Sequence, residues 1–234
     1  NGKSASASIK VEVDNPNIVG AYTYNETTCP TGREETCQPT TCLVSGTCPA
    51  GTIISYKVNE NTIQDFYILH GDEDKLTLLS TYEVIPSIVW SLTNDRSTGP
   101  IPALQELEKF TNSWTNVLEV TYDDTTYGRS GCSYNGLACI SDIYTLASRT
   151  VRARMISVPE AVQVGCTENI NSCPSWMFTE GKFYWIMNAT TGGCASCAWM
   201  IDGGSNPNSA HVGYYQAAQG GDFIGVRAVI EINI

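Results

Sequence analysis

Four short runs, FYWIM at 183–187, CAWMI at 197–201, HVGYYQ at 211–216 and GVRAVIEINI at 225–234, stand behind ARMISVPEAVQVGC at 153–166. Stretches rich in Gly, Asn and Ser separate the four runs. Aromatic and β-branched residues in short runs between turn formers are the pattern of twisted antiparallel strands. The segment before them reads as a helix, because Ser157 with Glu160 three residues on has the spacing of a capping box. The order predicts a helix over 153–166 and then one small sheet whose fourth strand is the closing run.

Upstream the pattern is also β. TIISYKV, IQDFYILHG and KLTLLSTYEV alternate apolar and polar residues, and NENT and GDED supply turns between them. Three such runs predict an antiparallel meander. Pro100 and Pro102 then introduce ALQELEKFTNSW at 103–114, where Leu104, Leu107 and Phe110 recur at helical spacing. Residues 115–150 read as mostly loop. Near the N-terminus, Ile9, Val11 and Val13 alternate as a strand, a turn follows at DNPN, and 18–24 predicts a second strand. Residues 25–50 hold four cysteines among prolines and threonines, a stapled excursion without a core of its own. The expected fold class is α+β, with an N-terminal strand and Cys-rich extension over 1–50 and the main domain over 51–234.

Composition limits the partners. The chain has 234 residues, 42% of them hydrophobic, and 24 acidic against 13 basic residues give a net charge of −11. An acidic chain without a Lys/Arg cluster argues against nucleic acid or an anionic membrane as partner. No run is long and apolar enough to span a bilayer. The ten cysteines are even in number and fall in local groups: Cys29, Cys37, Cys42, Cys48, Cys132, Cys139, Cys166, Cys173, Cys194 and Cys197. Cys132/Cys139 and Cys166/Cys173 share one spacing, and each encloses turn formers. Zinc would call for paired CxxC motifs or histidines, whereas there is one CxxC and only His70 and His211. All ten are read as disulfide cysteines of a secreted or surface protein. Pairing among Cys29, Cys37, Cys42 and Cys48 stays open, since four cysteines allow three connectivities.

Helices around a loop-rich segment, followed by a small closing sheet, resemble the C-type-lectin-like fold. Arg154-Met155-Ile156-Ser157 through Glu160-Ala161 is similar to the R-[LM]-[IP]-[ST]-x-x-E-A helix start of its bacterial branch. Gly225-Val226-Arg227-Ala228-Val229 is similar to that branch's closing G-[FV]-R-x-V strand, with Tyr184-Trp185-Ile186-Met187 and Ala198-Trp199-Met200-Ile201 between them. The branch holds the sulfatase-modifying-factor domains and many Gram-positive surface proteins. The likeness spans 51–234, and it implies a surface or filament setting, since proteins of this spacing also occur behind pilin-type anchors.

The candidate chemistries are few. The resemblance directs attention to Cys194 and Cys197 after Gly192-Gly193, because formylglycine-generating enzymes bind copper(I) through two cysteines in that region. Here two residues separate the pair where the family has four, and the CxxC leads into a strand rather than a helix N-terminus that would lower a thiol pKa. A structural staple is the reading. The loop from Asp202 to Asn208 has one carboxylate, too few for calcium, and Asp72-Glu73-Asp74 reads as a hairpin tip. Five tryptophans and twelve tyrosines can line a sugar platform, but most fall at core-facing positions. His70 reads as a structural histidine without an evident partner. Asn25-Glu26-Thr27 and Asn188-Ala189-Thr190 are sequons. No catalytic, cofactor-binding or metal residue is assigned, and no cofactor is expected.

The expected role is non-enzymatic: a subunit of a bacterial surface filament, or an adhesin, self-associating and presenting loops over 115–150 and 202–210 to a glycan or protein. A monomeric lectin-like receptor is the alternative, and a copper-thiolate oxidase a third. Ile9, Val11 and Val13 are the candidate subunit contact, because a strand behind a polar leader can pair within its own fold or join a neighbour's sheet edge.

Overall fold

A meander organises the larger of two main sheets. The computed structural model describes residues 15–23, 38–39, 42–45, 48–72, 74–93, 99–122, 133–134, 137–138, 148–167, 172–177, 182–189, 196–203, 211–216 and 223–234. Ile9, Val11, Val13, Cys29, Cys37, Cys132, Cys139, Cys194, the Asn25 sequon and most of the 202–210 loop lie outside them. Strand β1 is Ile18–Thr23 and β2 is Gln38–Pro39, followed by a one-turn helix α1, Cys42–Ser45. The meander is β3 (Ile53–Asn59), β4 (Thr62–Gly71) and β5 (Lys75–Ser80). Its turns are closed by side chains: Asn59 Oδ1 accepts the Asn61 N–H at 3.0 Å, and Asp72 Oδ1 accepts those of Asp74 and Lys75 at 3.0 and 2.8 Å. Such Asx bonds fix a turn locally. The hairpin-tip reading of the acidic cluster rests on Asp72, whose carboxyl these bonds hold below its usual range.

Two helices sit on opposite sides of the β-structure. Helix α2 (Ile101–Thr111) precedes β6 (Val120–Tyr122), the small hairpin β7 (Ser133–Tyr134) and β8 (Leu137–Ala138), and β9 (Arg149–Val151). Helix α3 (Val158–Gln163) leads through a 3-10 turn at Ser175–Met177 to β10 (Phe183–Ala189), β11 (Cys197–Asp202), β12 (His211–Gln216), β13 (Ile224–Gly225) and β14 (Val229–Asn233). The larger sheet has the order β14-β5-β4-β3-β1-β2, and the smaller one β12-β11-β10-β13. The chain is therefore α+β and mainly antiparallel. Strand β1, from the N-terminal extension, pairs directly with β3 of the meander.

Alternation along the strands makes two cores. Ile54, Tyr56, Phe66, Ile68, Leu78, Ile230 and Ile232 from one face of the larger sheet join Trp185, Met187 and Met200 of the smaller, under Leu104 and Leu107 of α2. The opposite faces supply Ile53, Tyr67, Leu69 and Leu79 with Tyr184, Ile186, Trp199 and Ile201, covered by Val158 and Ala161 of α3 and by Trp176. Trp185 and Trp199 thus fill different cores, because Met200 and not Trp199 stands opposite Trp185 across the hairpin. Gly51 lets the second core close: its φ is +86°, and a Cβ there would stand 2.6 Å from the Trp176 ring.

Three expectations are corrected. The closing run is not one strand of the small sheet. Ile224–Gly225 pairs parallel to β10, the chain breaks at Arg227-Ala228, and Val229–Asn233 pairs antiparallel to β5 in the other sheet. The reason lies in Arg227, which is 1% exposed and whose Nε donates to the Ser80 carbonyl, turning the chain between sheets. The helix expected over 153–166 is confined to Val158–Gln163. Arg154 exchanges backbone bonds with Val229 (2.9 and 2.8 Å) in an isolated bridge, and the Ile156 carbonyl accepts from Met187, so these backbone groups are spent on neighbouring strands rather than in a helix. Gly165, at φ +106°, ends the helix with its N–H on the Val162 carbonyl and that of Cys166 on the Ala161 carbonyl. The helix expected over 103–114 starts earlier and stops at Thr111, where Thr111 Oγ1 turns back to the Leu107 carbonyl.

Cys42–Cys48 and Cys166–Cys173 form disulfides, and Cys197 is also disulfide-bonded. The first bond settles one pairing among the four N-terminal cysteines. Among the described residues no helix is long and apolar enough to cross a membrane.

Candidate functional site

The segment expected to be a display loop is held at both ends by a ribbon. Strands β6 and β9 pair antiparallel, with Val120 opposite Val151 and Tyr122 opposite Arg149. Thr121 and Thr150 join their hydroxyls at 2.8 Å across the ribbon. Two ion pairs brace it. Arg149 makes a two-pronged contact with Glu108 of α2, its Nη2 2.7 Å from Oε2, and Arg152 Nη2 lies 2.8 Å from Glu119 Oε1. A forked guanidinium–carboxylate pair fixes orientation as well as distance, so the ribbon is locked to α2 rather than merely laid against it.

Between α2 and the ribbon lies an open groove of about 470 Å³, within the range of small-ligand sites. Glu108, Glu119, Arg149 and Arg152 face it, with Asn112, Ser148 and Thr150 supplying neutral donors and acceptors. Two acids and two bases balance in charge, and each holds its opposite in place. A polar ligand with hydroxyl or amide groups meets fixed donors and acceptors there at low reorganisation cost.

Beneath the ribbon sits a buried ionic node. Arg154 donates to Glu160 through Nη1 (2.7 Å) and Nη2 (2.5 Å), and the same carboxylate accepts the Ser157 N–H (2.9 Å) and hydroxyl (2.8 Å). The capping box read at SVPE is present. Burial alone would raise the Glu160 carboxyl. The Arg154 charge and the bonds from His70, Arg154 and Ser157 override it and hold the group well below the usual carboxylate range. The structure gives His70 the partner the sequence did not show, its Nε2 standing 3.6 Å from Glu160 Oε1. Arg154 also lies 5.2 Å above the Tyr122 ring, and Tyr122 donates to Glu231 of β14 at 3.2 Å. Burial pushes the Tyr122 hydroxyl up. The groove, the ribbon and the last strand are thereby one connected structure.

The other sequence candidates fall elsewhere. All five tryptophans are buried, so none serves as a sugar platform. Asn188 of the second sequon is 4% exposed, and its Oδ1 accepts the Val158 N–H at 2.9 Å, capping α3 from a neighbouring strand. Asp202 is half-buried at the end of β11. Cys197 carries no free thiol. Tyr215 stacks edge-on against Phe223 (5.0 Å), which in turn meets Phe183 (5.8 Å). Sequence reasoning missed the four charged groove residues: RTVR, LQELE and VLEV look like any solvated charge pattern until tertiary structure opposes them.

No protein-family model, curated protein or solved structure matches the chain.

Proposed function

We propose that this chain is a non-enzymatic extracellular protein of bacterial type, the structural subunit of a surface filament or an adhesin, built on a C-type-lectin-like scaffold. One observation carries the reading: both ends of the stretch between Tyr122 and Arg149 are gripped by a two-stranded ribbon that is ion-paired to α2 and underlain by a buried ionic node. A long segment fixed at its base on a rigid core is how a scaffold displays a variable surface. Helices on opposite sides of the sheets, with a closing strand that passes from one sheet to the other, support the lectin-like description. The disulfides and the lack of a membrane-crossing helix among the described residues are compatible with export.

Filament and adhesin roles separate in one experiment. Electron micrographs of purified chain should show polymers whose length grows with concentration and which vanish when residues 1–13 are deleted. A monodisperse chain at all concentrations sinks the filament reading. The groove favours a second reading, a monomeric lectin-like receptor: glycan-array binding that survives the same deletion and is lost in Arg149→Ala would establish it. A copper-thiolate oxidase needs free thiolates; thiol counting on the unreduced protein should find none at Cys194 and Cys197.

A further inference from the structure

We infer that the groove between α2 and the ribbon takes a hydroxylated carboxylate, of the kind a uronic acid residue carries, with Arg152 as its anchor and Glu119 as the group it displaces. The inference rests on the receptor reading of this groove and names its ligand class. It starts from a difference between the two groove arginines. Arg149 is committed: its guanidinium is forked on Glu108 of α2, with Nη2 2.7 Å from Oε2. Arg152 is held at one point. Its Nη2 stands 2.8 Å from Glu119 Oε1, while its Nε is buried without a hydrogen-bond partner among the described residues. With Nε buried, this guanidinium meets a ligand through its Nη groups.

Glu119 holds Arg152 weakly. Its side chain is 50% exposed against 23% for Arg152, and an ion pair so open to water binds its partners loosely. The pair continues the ribbon: with Val120 opposite Val151, the register sets Glu119 opposite Arg152. This end of the ribbon is flanked on both sides by described chain, 99–122 and 148–167, so the exposure of both groups is measured with their chain neighbours in place. A carboxylate arriving from solvent can therefore take the guanidinium while Glu119 turns to water.

Charge selects the anion. Among the described residues the lining carries two carboxylates and two guanidiniums and sums to zero. A monoanion adds one negative charge. A phosphate monoester adds roughly two, against Glu108 and Glu119 in a chain already at −11. The flat carboxylate also matches the planar donors of a guanidinium, as Glu108 does on Arg149. The rest of the lining calls for hydroxyls. Asn112, Ser148 and Thr150 are exposed and uncharged, and Val151 offers an apolar contact to the C–H face of a sugar ring. A peptide C-terminus brings the same carboxylate, but its side chains need apolar pockets, which this lining does not provide.

Four probes titrated into the full chain test this: methyl glucuronide, methyl glucoside, N-acetylglycine and inorganic phosphate, followed by NMR shifts of the 108–112 and 148–152 amides. The glucuronide should bind, with the other three each about tenfold or more weaker, the scale of one lost charge-assisted contact or of several neutral ones. Arg152→Gln should weaken the glucuronide about tenfold or more. Glu119→Gln should tighten it about two- to fivefold, because it removes the competing carboxylate. A pair that only braces the ribbon gives no such opposite signs. Glucuronide binding that weakens in Glu119→Gln as in Arg152→Gln would overturn the inference, as would phosphate or N-acetylglycine binding as tightly as the glucuronide. Glucoside binding equal to glucuronide would overturn the charge anchor and leave the receptor reading standing. No shift from any probe overturns the inference too, and glycan-array binding lost in Arg149→Ala then decides the receptor reading separately.

Discussion

Arg154 and Arg227 are 6% and 1% exposed, yet they are held in different ways. Arg154 faces a carboxylate six residues along the chain, with helix α3 growing from the same cluster. Arg227 faces neutral groups from distant parts of the chain: the Ser80 and Met177 carbonyls, the Tyr184 hydroxyl at 3.4 Å, and the rings of Tyr67 and Tyr184 at 5.5 and 5.0 Å. Its Nη2 has no hydrogen-bond partner among the described residues. The first is a charge-neutral pair made largely from local sequence. The second is a cation dissolved in carbonyls and ring faces, at the seam where the closing run leaves one sheet for the other. The contrast teaches that the scaffold uses a pair to start a helix and a lone guanidinium to join two sheets, where planar donors must reach several backbones at once.

Breaking the pair should have the largest effect. Glu160→Ala leaves Arg154 buried without its countercharge, and about 3–5 kcal/mol of stability should be lost in urea denaturation. Arg227→Met replaces the seam cation by an apolar side chain of similar length. Two carbonyls lose a donor but no opposite charge is stranded, so a cost of about 1–3 kcal/mol is expected. If Arg227→Met costs more than Glu160→Ala, the comparison is reversed and the seam, not the pair, holds the fold.

The two nodes should also fail at opposite ends of the pH scale. The Glu160 carboxyl is depressed in the fold, so its contribution is complete above its ordinary value of 4.5 and is lost as pH falls below that toward the folded value. Tyr184, beside Arg227, is pushed up to about 12 by burial, against the opposing Arg227 charge. Its contribution is complete below the ordinary value of 10.0 and is lost as pH rises from there toward about 12. Urea midpoints should fall at both extremes. Glu160→Gln should flatten the acid limb, and Tyr184→Phe should shrink the alkaline one, to which the raised Tyr122 also contributes. The smallest effect belongs to His70→Ala. With its side chain 37% exposed and 3.6 Å from Glu160, a loss of no more than about 1 kcal/mol is expected.

How much of this was legible depended on how local each feature is. The meander and the SVPE cap are written in neighbouring residues, and the structure places them where the spacing does. The helix over 153–166 was over-read because the apolar spacing continues upstream, while Arg154 and Ile156 spend their backbone groups on Val229 and Met187. GVRAVIEINI looks like one strand because the β-branched Val226, Val229, Ile230, Ile232 and Ile234 make up half of it. Only the partners of Arg227, drawn from Ser80 and Met177, show why it breaks. Asn188 matches a glycosylation tripeptide, and only its bond to Val158 shows that the side chain is already occupied. The groove was the least visible feature, since Glu108 and Arg149 are distant in sequence and each alone is ordinary surface charge.

The central proposal is that this chain self-associates into polymers and needs its N-terminal residues to do so. Sedimentation velocity of the full chain against the chain lacking residues 1–13, over a hundredfold range of concentration, tests it most directly. The account predicts growing polymers for the first and a folded monomer at every concentration for the second. Identical monomeric profiles for the two chains would contradict it.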